Sequence, residues 1–271
     1  MSSYVVTGAS RGIGYGFILE LSKNPANTVI GIVRDVKYTE EKLAKEPEQR
    51  GNIHLLQGDM IDYQSLKNAA EKTSEITGGS LDYLIGNAGV TDPVEVVDAF
   101  DTLANDPLQL ESALLFPFNV NVIGNVHLIN LFMPLILKGR AKKVIAISSS
   151  SGDAEFVTKV QLDWGPGYAI SKAALNMAVA KFSARYAGDG VLVMAICPGM
   201  VATEAFRGLT DEQRAKLPLM VEKFKHVYGD QVTTVTTETS VKNVLSVIER
   251  SSVLNRDGGS FVSHKGNKEW L

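Results

Sequence analysis

Tyr4-Val5-Val6-Thr7-Gly8-Ala9-Ser10-Arg11-Gly12-Ile13-Gly14 is the stretch that decides how this 271-residue chain folds. Apolar strand-forming residues run into a turn holding three glycines, and a helical pattern carrying Phe17, Ile18 and Leu21 follows from Gly14. Glycine lets the backbone turn tightly and come close to a pyrophosphate, whose charge is favoured by the N-terminus of the next helix. The plainer reading is a tight strand-to-helix turn without a ligand. Its place after the first strand and before the first helix favours the phosphate.

Outward from this turn, apolar runs rich in Val and Ile recur at residues 28–33, 53–57, 81–86, 143–148 and 191–197, as strands buried on both faces require. Segments of helical length separate them, the last with Val241, Val244, Leu245 and Ile248 at helical spacing. Alternating β and α elements predict an α/β fold, a doubly wound parallel sheet (the Rossmann architecture) with helices on both faces. The site then belongs at the carboxyl ends of the strands. No repeat or composition shift marks a second domain, so one domain over 1–271 is expected. Residues 199–237 interrupt the rhythm, mixing Phe206, Leu209, Leu217, Met220 and Phe224 with many charges. They read as a substrate lid or as two ordinary surface helices.

Composition excludes other classes. With 45% hydrophobic and 21% charged residues the chain can bury a core and is not of disordered type. Its 27 basic and 30 acidic residues, a formal charge of −3, give no basic field for nucleic acid. Residues 116–137 are long and uncharged enough for a membrane span, but Asn119, Asn121, Asn125, His127 and Asn130 would be costly in lipid. A buried helix is expected there. Met1-Ser2-Ser3 runs into a strand without the basic and apolar regions of a secretory signal, and the lone Cys197 cannot form an internal disulfide. Cytoplasm is the expected location. His54, His127, His226 and His264 show no metal-ligand spacing, so no metal is expected.

The spacing of the first glycines, Gly8 and Gly12, resembles that of the short-chain dehydrogenase/reductase family, and further motifs agree in order along almost the whole chain. They are Asp59-Met60 after the third strand, Asn87-Ala88-Gly89 after the fourth, Val120-Asn121-Val122-Ile123-Gly124, Ser148-Ser149-Ser150-Ser151-Gly152, Tyr168-Ala169-Ile170-Ser171-Lys172 and Pro198-Gly199 with Val201 and Thr203. Gly86 stands where the longer family turn has a first Asn. The segment 168–176 and the tail from Gly259 through Trp270 are similar to the branch of sniffer and C-factor carbonyl reductases. The opening turn and residues 29–35 are similar to fungal norsolorinic acid ketoreductases.

The resemblance implies four catalytic residues, Asn121, Ser149, Tyr168 and Lys172. It implies a dinucleotide held by Gly8, Ser10, Arg11, Gly12, Ile13, Gly14, Arg34, Asp59, Met60, Asn87, Ala88, Gly89, Tyr168, Lys172, Pro198, Gly199, Val201 and Thr203. Asp59 would contact adenine, Lys172 the nicotinamide ribose, and Asn121 would hold a water linking Lys172 to solvent. Chemistry supports the set. Tyr168 and Lys172, four apart, share a helix face, and a nearby ammonium favours the phenolate, drawing the phenol towards working pH for proton exchange with a carbonyl oxygen. A Ser149 hydroxyl can share that oxygen's developing charge. Among four consecutive serines, Ser149 is chosen because the family pattern puts the catalytic hydroxyl three before Gly152. Residues 153–167 are longer than the common family interval and read as an enlarged loop beside the substrate. Phe156, Val157 and Trp164 are its candidate apolar walls, and Trp164 can instead merely pin the loop.

Cofactor preference turns on Val33-Arg34-Asp35 at the second strand's end. An acid at that end would hold the ribose hydroxyls and repel a 2′-phosphate, but Val33 occupies the place. Arg34 and Arg11 can converge on a phosphate, which favours NADP. With the strand end one residue later, Asp35 would favour NAD. The expected function is reduction of a bulky, apolar or aromatic ketone or aldehyde by NADPH. Alternatives are an NADP-binding sensor without turnover, and oxidation of a secondary alcohol as the physiological direction. Cys197 reads as a buried inert thiol. Family resemblance implies that helices from about 106–138 and 167–187 pair across a two-fold in a homodimer or homotetramer.

Overall fold

The computed structural model describes residues 1–92, 96–202, 209–229 and 232–271. Its centre is a parallel sheet of β1 (Ser3–Thr7), β2 (Thr28–Val33), β3 (Ile53–Gln57), β4 (Tyr83–Gly86), β5 (Lys143–Ile147), β6 (Leu192–Cys197) and β7 (Phe261–Ser263), in the order β3-β2-β1-β4-β5-β6-β7. Strand side chains alternate between two apolar layers. Val5, Leu84, Val144 and Val193 face one layer, while Val6, Ile85, Ile145 and Met194 face the other. On the first face lie α3 (Tyr63–Thr77), α5 (Pro107–Phe118), α6 (Gly124–Ile136) and α8 (Pro166–Tyr186); on the second lie α1 (Gly12–Ser22) and α10 (Thr237–Arg250). Fully buried Phe17 and Phe132 anchor the two layers, each contributing about 1.5–3 kcal/mol of burial.

The doubly wound parallel sheet is the expected one, with differences at its margins. The fourth, fifth and sixth strands are each one or two residues shorter than the apolar runs. Ser148 still donates its backbone N–H to Ile196 O at 2.9 Å, so the run continues past the ladder proper. β7 is too short, at three residues, to stand out as an apolar run, and is a strand because β6 offers it a free edge.

α2 (Val36–Leu43), α4 (Phe100–Leu103), α7 (Ala154–Val160) and α9 (Asp211–Tyr228) complete the helices used below. Pro107 to Ile136 is one helical run of 30 residues, long and apolar enough to cross a membrane by composition, with half of its most apolar window buried. Here it packs through α5 on α8 and through α6 on α3, β4 and β5. Between α5 and α6 the register widens to a π-turn over Asn119–Ile123, just after Pro117, which has no N–H to give the preceding turn. That turn carries Asn121.

Candidate active site

Parallel strands bring all their carboxyl ends to one rim, and β1 and β4 are stitched together there. Thr7 Oγ1 accepts the backbone N–H groups of Asn87 and Ala88, each at 3.0 Å, while Asn87 Nδ2 donates to Thr7 O at 2.9 Å. Gly8 and Gly12 hold φ of +67° and +54°, the left-handed region glycine tolerates best. A Cβ on Gly14 would lie 2.3 Å from Gly8 O, so only hydrogen lets α1 begin this close to the turn. Arg11, at the N-cap of α1, makes no side-chain capping bond, whereas Asp35, Asp62, Asp106, Asp153, Thr210 and Thr236 cap their helices. The first-turn N–H groups of α1, with Ser10 and Ile13 beside them, therefore face the glycine turn without a side-chain acceptor.

At the end of β2, Val33 is buried and Arg34 exposed. Asp35 spends its carboxylate on the backbone N–H of Tyr38 at 2.9 Å, capping α2. After β3, Asp59 Oδ1 accepts the Ile61 N–H, and Met60 is buried against the helix run, where a Cβ on Gly124 would lie 2.5 Å from Met60 O. Gly86 is explained by Asn125: a Cβ there would lie 2.5 Å from Asn125 Oδ1, so a family-type Asn has no room.

The four residues expected to be catalytic meet at the ends of β4 and β5. Asn121, fully buried, clamps the backbone of Val90 in both directions, accepting its N–H and donating to its carbonyl at 2.8 Å each. It also donates to Ser171 Oγ at 2.9 Å, and Ser171 in turn donates to Tyr168 O at 2.7 Å. Ser171, inside the Tyr-x-x-x-Lys pattern, is a tie the sequence reading missed. A Cβ on Gly89 would stand 3.2 Å from both Asn121 Oδ1 and Lys172 Nζ, so glycine keeps the space over them open. Lys172 donates to Ile147 O at 2.8 Å and lies 5.6 Å from the Tyr168 ring centre. Burial pulls its ammonium down to about 8.

Tyr168 corrects an expectation. Burial pushes its phenol up to about 12, outweighing a hydrogen bond with Ser149 that pulls the other way, so the site does not draw the phenol towards neutrality. The serines sort by contact. Ser149 bonds Tyr168, Ser150 bonds the Cys197 thiol, Ser151 donates its backbone N–H to Ser149 Oγ at 3.2 Å, and Ser148 Oγ is buried without a partner. Gly152 presses this turn onto α8, where a Cβ would lie 2.8 Å from the Ala173 nitrogen. Burial raises the Cys197 thiol, and no group of His, Cys, Asp and Glu suited to a metal ion is found among the described residues.

At the end of β6, Pro198 O accepts from Ser240 Oγ at 2.7 Å, and Gly199, at φ +83°, lies against the His264 ring. His264, just after the overlooked β7, is thus a neighbour of the expected site that no local motif announced. Val201 forms an isolated bridge with Val235. Thr203 and Phe206 lie outside the described residues.

Residues 153–167 are not a plain loop. Asp153 caps α7, and Phe156 and Val160 are buried in a third apolar cluster with Cys197, Phe224, Val232 and Trp270. Phe156 is therefore core, not pocket wall; Val157 packs at the cluster's margin, and Trp164 is half-buried with Lys223 over its ring at 5.8 Å. Most of the described part of the expected lid is α9, started by a Thr210–Gln213 capping box. It is tied down by Lys216 to Asp98 at 2.8 Å and by Lys223 to Gln161 O at 2.7 Å. Behind it, Trp270 stacks on Phe261 at 4.5 Å and Lys268 reaches Asp153 at 3.2 Å.

The family model described as short chain dehydrogenase matches residues 3–214. The short chain dehydrogenase virK of Hypocrea virens is 50% identical over 271 residues, covering 100% of both chains. Among solved structures, the NADPH-bound carbonyl reductase from chicken fatty liver is 29% identical with a TM-score of 0.76, covering 98% of each chain. The carbonyl reductase Sniffer of D. melanogaster, 22% identical, shares the fold at a TM-score of 0.75 over 98% of each chain.

Proposed function

The chain belongs to the short-chain dehydrogenase/reductase family as an oxidoreductase of the carbonyl reductase type, and from that premise we propose that it reduces a bulky, apolar or aromatic ketone or aldehyde with NADPH. The observation that carries this reading is the meeting of Ser149, Tyr168, Lys172 and Asn121 at the ends of β4 and β5, with Ser149 bonded to Tyr168. A phenol held at about 12 is protonated at neutral pH, the form a general acid needs to give its proton to a carbonyl oxygen as the alcohol forms. Ser149 donates to the same oxygen and shares its charge. Lys172, with a pKa near 8, can change protonation close to working pH and return a proton towards Tyr168. Asn121 holds Val90 and, through Ser171, the backbone of Tyr168, so it positions the acid without exchanging protons itself.

The residues present fit a dinucleotide: the glycine turn has no room for a Cβ, and α1 leaves its first-turn N–H groups without a side-chain cap. Gly8, Ser10, Gly12, Ile13 and Gly14 would hold the pyrophosphate side, Asp59, Met60, Asn87, Ala88 and Gly89 the adenosine and central part, and Lys172, Pro198, Gly199, Val201 and Thr203 the nicotinamide side. NADPH would supply the hydride. Arg11 and Arg34 favour NADPH over NADH, and capping α2 withdraws Asp35 from the ribose. The chicken relative's bound NADPH supports the same choice.

The same reading places the protein in the cytoplasm, without nucleic-acid or membrane partners, as a homodimer or homotetramer. Exposed Leu115, Phe116 and Ile123 on the α5–α6 run and Ile170 and Met177 on α8 support a second copy there. The test of the activity is loss of nicotinamide absorbance when NADPH and a panel of ketones and quinones are mixed with the protein. Turnover of an apolar carbonyl compound is expected, and a protein that bound NADPH yet reduced no member of the panel would overturn the reading.

A further inference from the structure

α2 ends beside the glycine turn and sends one lysine back to it. Lys42, in the helix's last turn, donates to the carbonyl of Ser10 at 3.2 Å, one residue before Arg11. Its ammonium stands 3.9 Å from the centre of the Tyr15 ring. Tyr15 is buried and donates its hydroxyl to Glu46 at 2.8 Å, so the platform under the lysine is itself fixed. Lys216, Lys223, Lys242 and Lys268 each hold a carboxylate, whereas Lys42 forms no ion pair among the described residues. It is a cation held by a ring face and a carbonyl.

We propose that Lys42 is a specificity-determining residue for NADPH, its ammonium joining Arg11 and Arg34 on the 2′-phosphate. Arg34 stands two residues before α2, next to its N-cap Asp35, and Lys42 lies near the helix's end, about 9 Å from Val36 along the axis at 1.5 Å per residue. Long side chains from both ends can meet one phosphate lodged between α2 and the turn that Ser10 and Arg11 form. Because the ring and carbonyl already order Lys42, little side-chain entropy remains to be lost when the anion arrives. Placing the lysine on Ser10 couples the phosphate to the same turn that holds the pyrophosphate. This inference rests on the NADPH reading above and adds a residue that neither the glycine motif nor the end of β2 contains.

The experiment is fluorescence titration of the whole protein with NADPH and NADH, comparing wild type with Lys42→Met, Lys42→Gln and Lys42→Arg. Circular dichroism confirms folding of each. Lys42→Met and Lys42→Gln are expected to weaken NADPH about tenfold, the order of one charge-assisted hydrogen bond, and NADH less than about twofold. Lys42→Arg should restore most of the difference, and added salt should narrow the wild-type preference. Equal weakening of both cofactors by Lys42→Met, rescued by the uncharged donor of Lys42→Gln, would make the lysine a brace for Ser10 and overturn the proposal while leaving the NADPH reading intact. A wild type that binds both cofactors equally would overturn the NADPH reading itself, and with it the role of Lys42.

Discussion

The turn from β1 to α1 and the passage from β5 to α8 do the same topological job, yet they are built from different physics. The first is a few residues long and held by backbone stereochemistry: two glycines at positive φ and a third whose missing Cβ admits the Gly8 carbonyl. The second begins with serines pressed on α8 by Gly152 and then departs into α7, whose Phe156 and Val160 cluster with side chains from α9, the end of β6 and the C-terminal tail. One region is rigid because little but glycine fits there. The other is fixed by apolar side chains that meet from distant parts of the chain. A turn fixed by stereochemistry leaves little choice of residue, whereas a cluster fixed by packing can be built from many apolar side chains.

The largest expected effect lies on the seam between the two regions. Tyr168→Phe keeps the ring and its packing and removes the proton, so turnover should fall about 10²–10⁴-fold with NADPH affinity unchanged. Stopped-flow reduction and cofactor titration on the same variant check it. Ser149→Ala should follow closely, and Ser148→Ala and Ser151→Ala much less; near-parental turnover in Tyr168→Phe would remove the general-acid assignment.

Next comes the turn itself. Gly14→Val should abolish measurable NADPH binding, since the added carbons have only the Gly8 carbonyl and the Asn87 amide to displace. If calorimetry still detected binding near wild-type strength, backbone stereochemistry would not be what fixes this region. A more selective break is the double variant Arg11→Ala with Arg34→Ala, in which NADPH affinity should drop about a hundredfold, two charge-assisted bonds' worth, while NADH affinity barely changes.

Phe156→Ala attacks the other region. It should raise KM for the carbonyl substrate severalfold, reorder preferences among substrates and speed amide exchange in α7 and α9, leaving cofactor affinity alone. Unaltered KM and exchange would show that the third cluster does not shape the substrate side.

The smallest effect is in pH. Lys172 falls from an ordinary 10.5 to about 8 on burial, so between these values the unfolded chain binds more protons than the folded one. Stability of the cofactor-free protein should therefore rise with pH from about 8 to 10.5 by this contribution, and be lost again as pH falls through the folded value. Thermal melts of wild type minus Lys172→Met across that window read it directly; a flat difference would contradict the burial of a titrating ammonium.

Much of this protein was legible in its sequence, and the legible part shares a cause. Strands buried on both faces must be apolar throughout, so Val29, Ile30, Val144, Ile145 and the whole of β6 announced the sheet, and tight turns must use glycine, so Gly8, Gly12 and Gly14 announced the phosphate side. Motifs resembling those of the short-chain dehydrogenase/reductase family likewise carried Asn121, Tyr168, Lys172 and the serine run. What the sequence left open depended on which distant residues meet. The direction of the Tyr168 shift followed from burial outweighing its neighbours, and the separate contacts of the serines, Ser149 with Tyr168 and Ser150 with Cys197, came only with the fold. β7 exists because β6 has an open edge, and Phe156 is core because α9 and Trp270 arrive over it. Asp35 was drawn onto the Tyr38 N–H by the start of α2, and Lys42 was brought back to Ser10 by its end. Local stereochemistry is written in consecutive residues, whereas burial and long-range contact exist only once the chain has closed on itself.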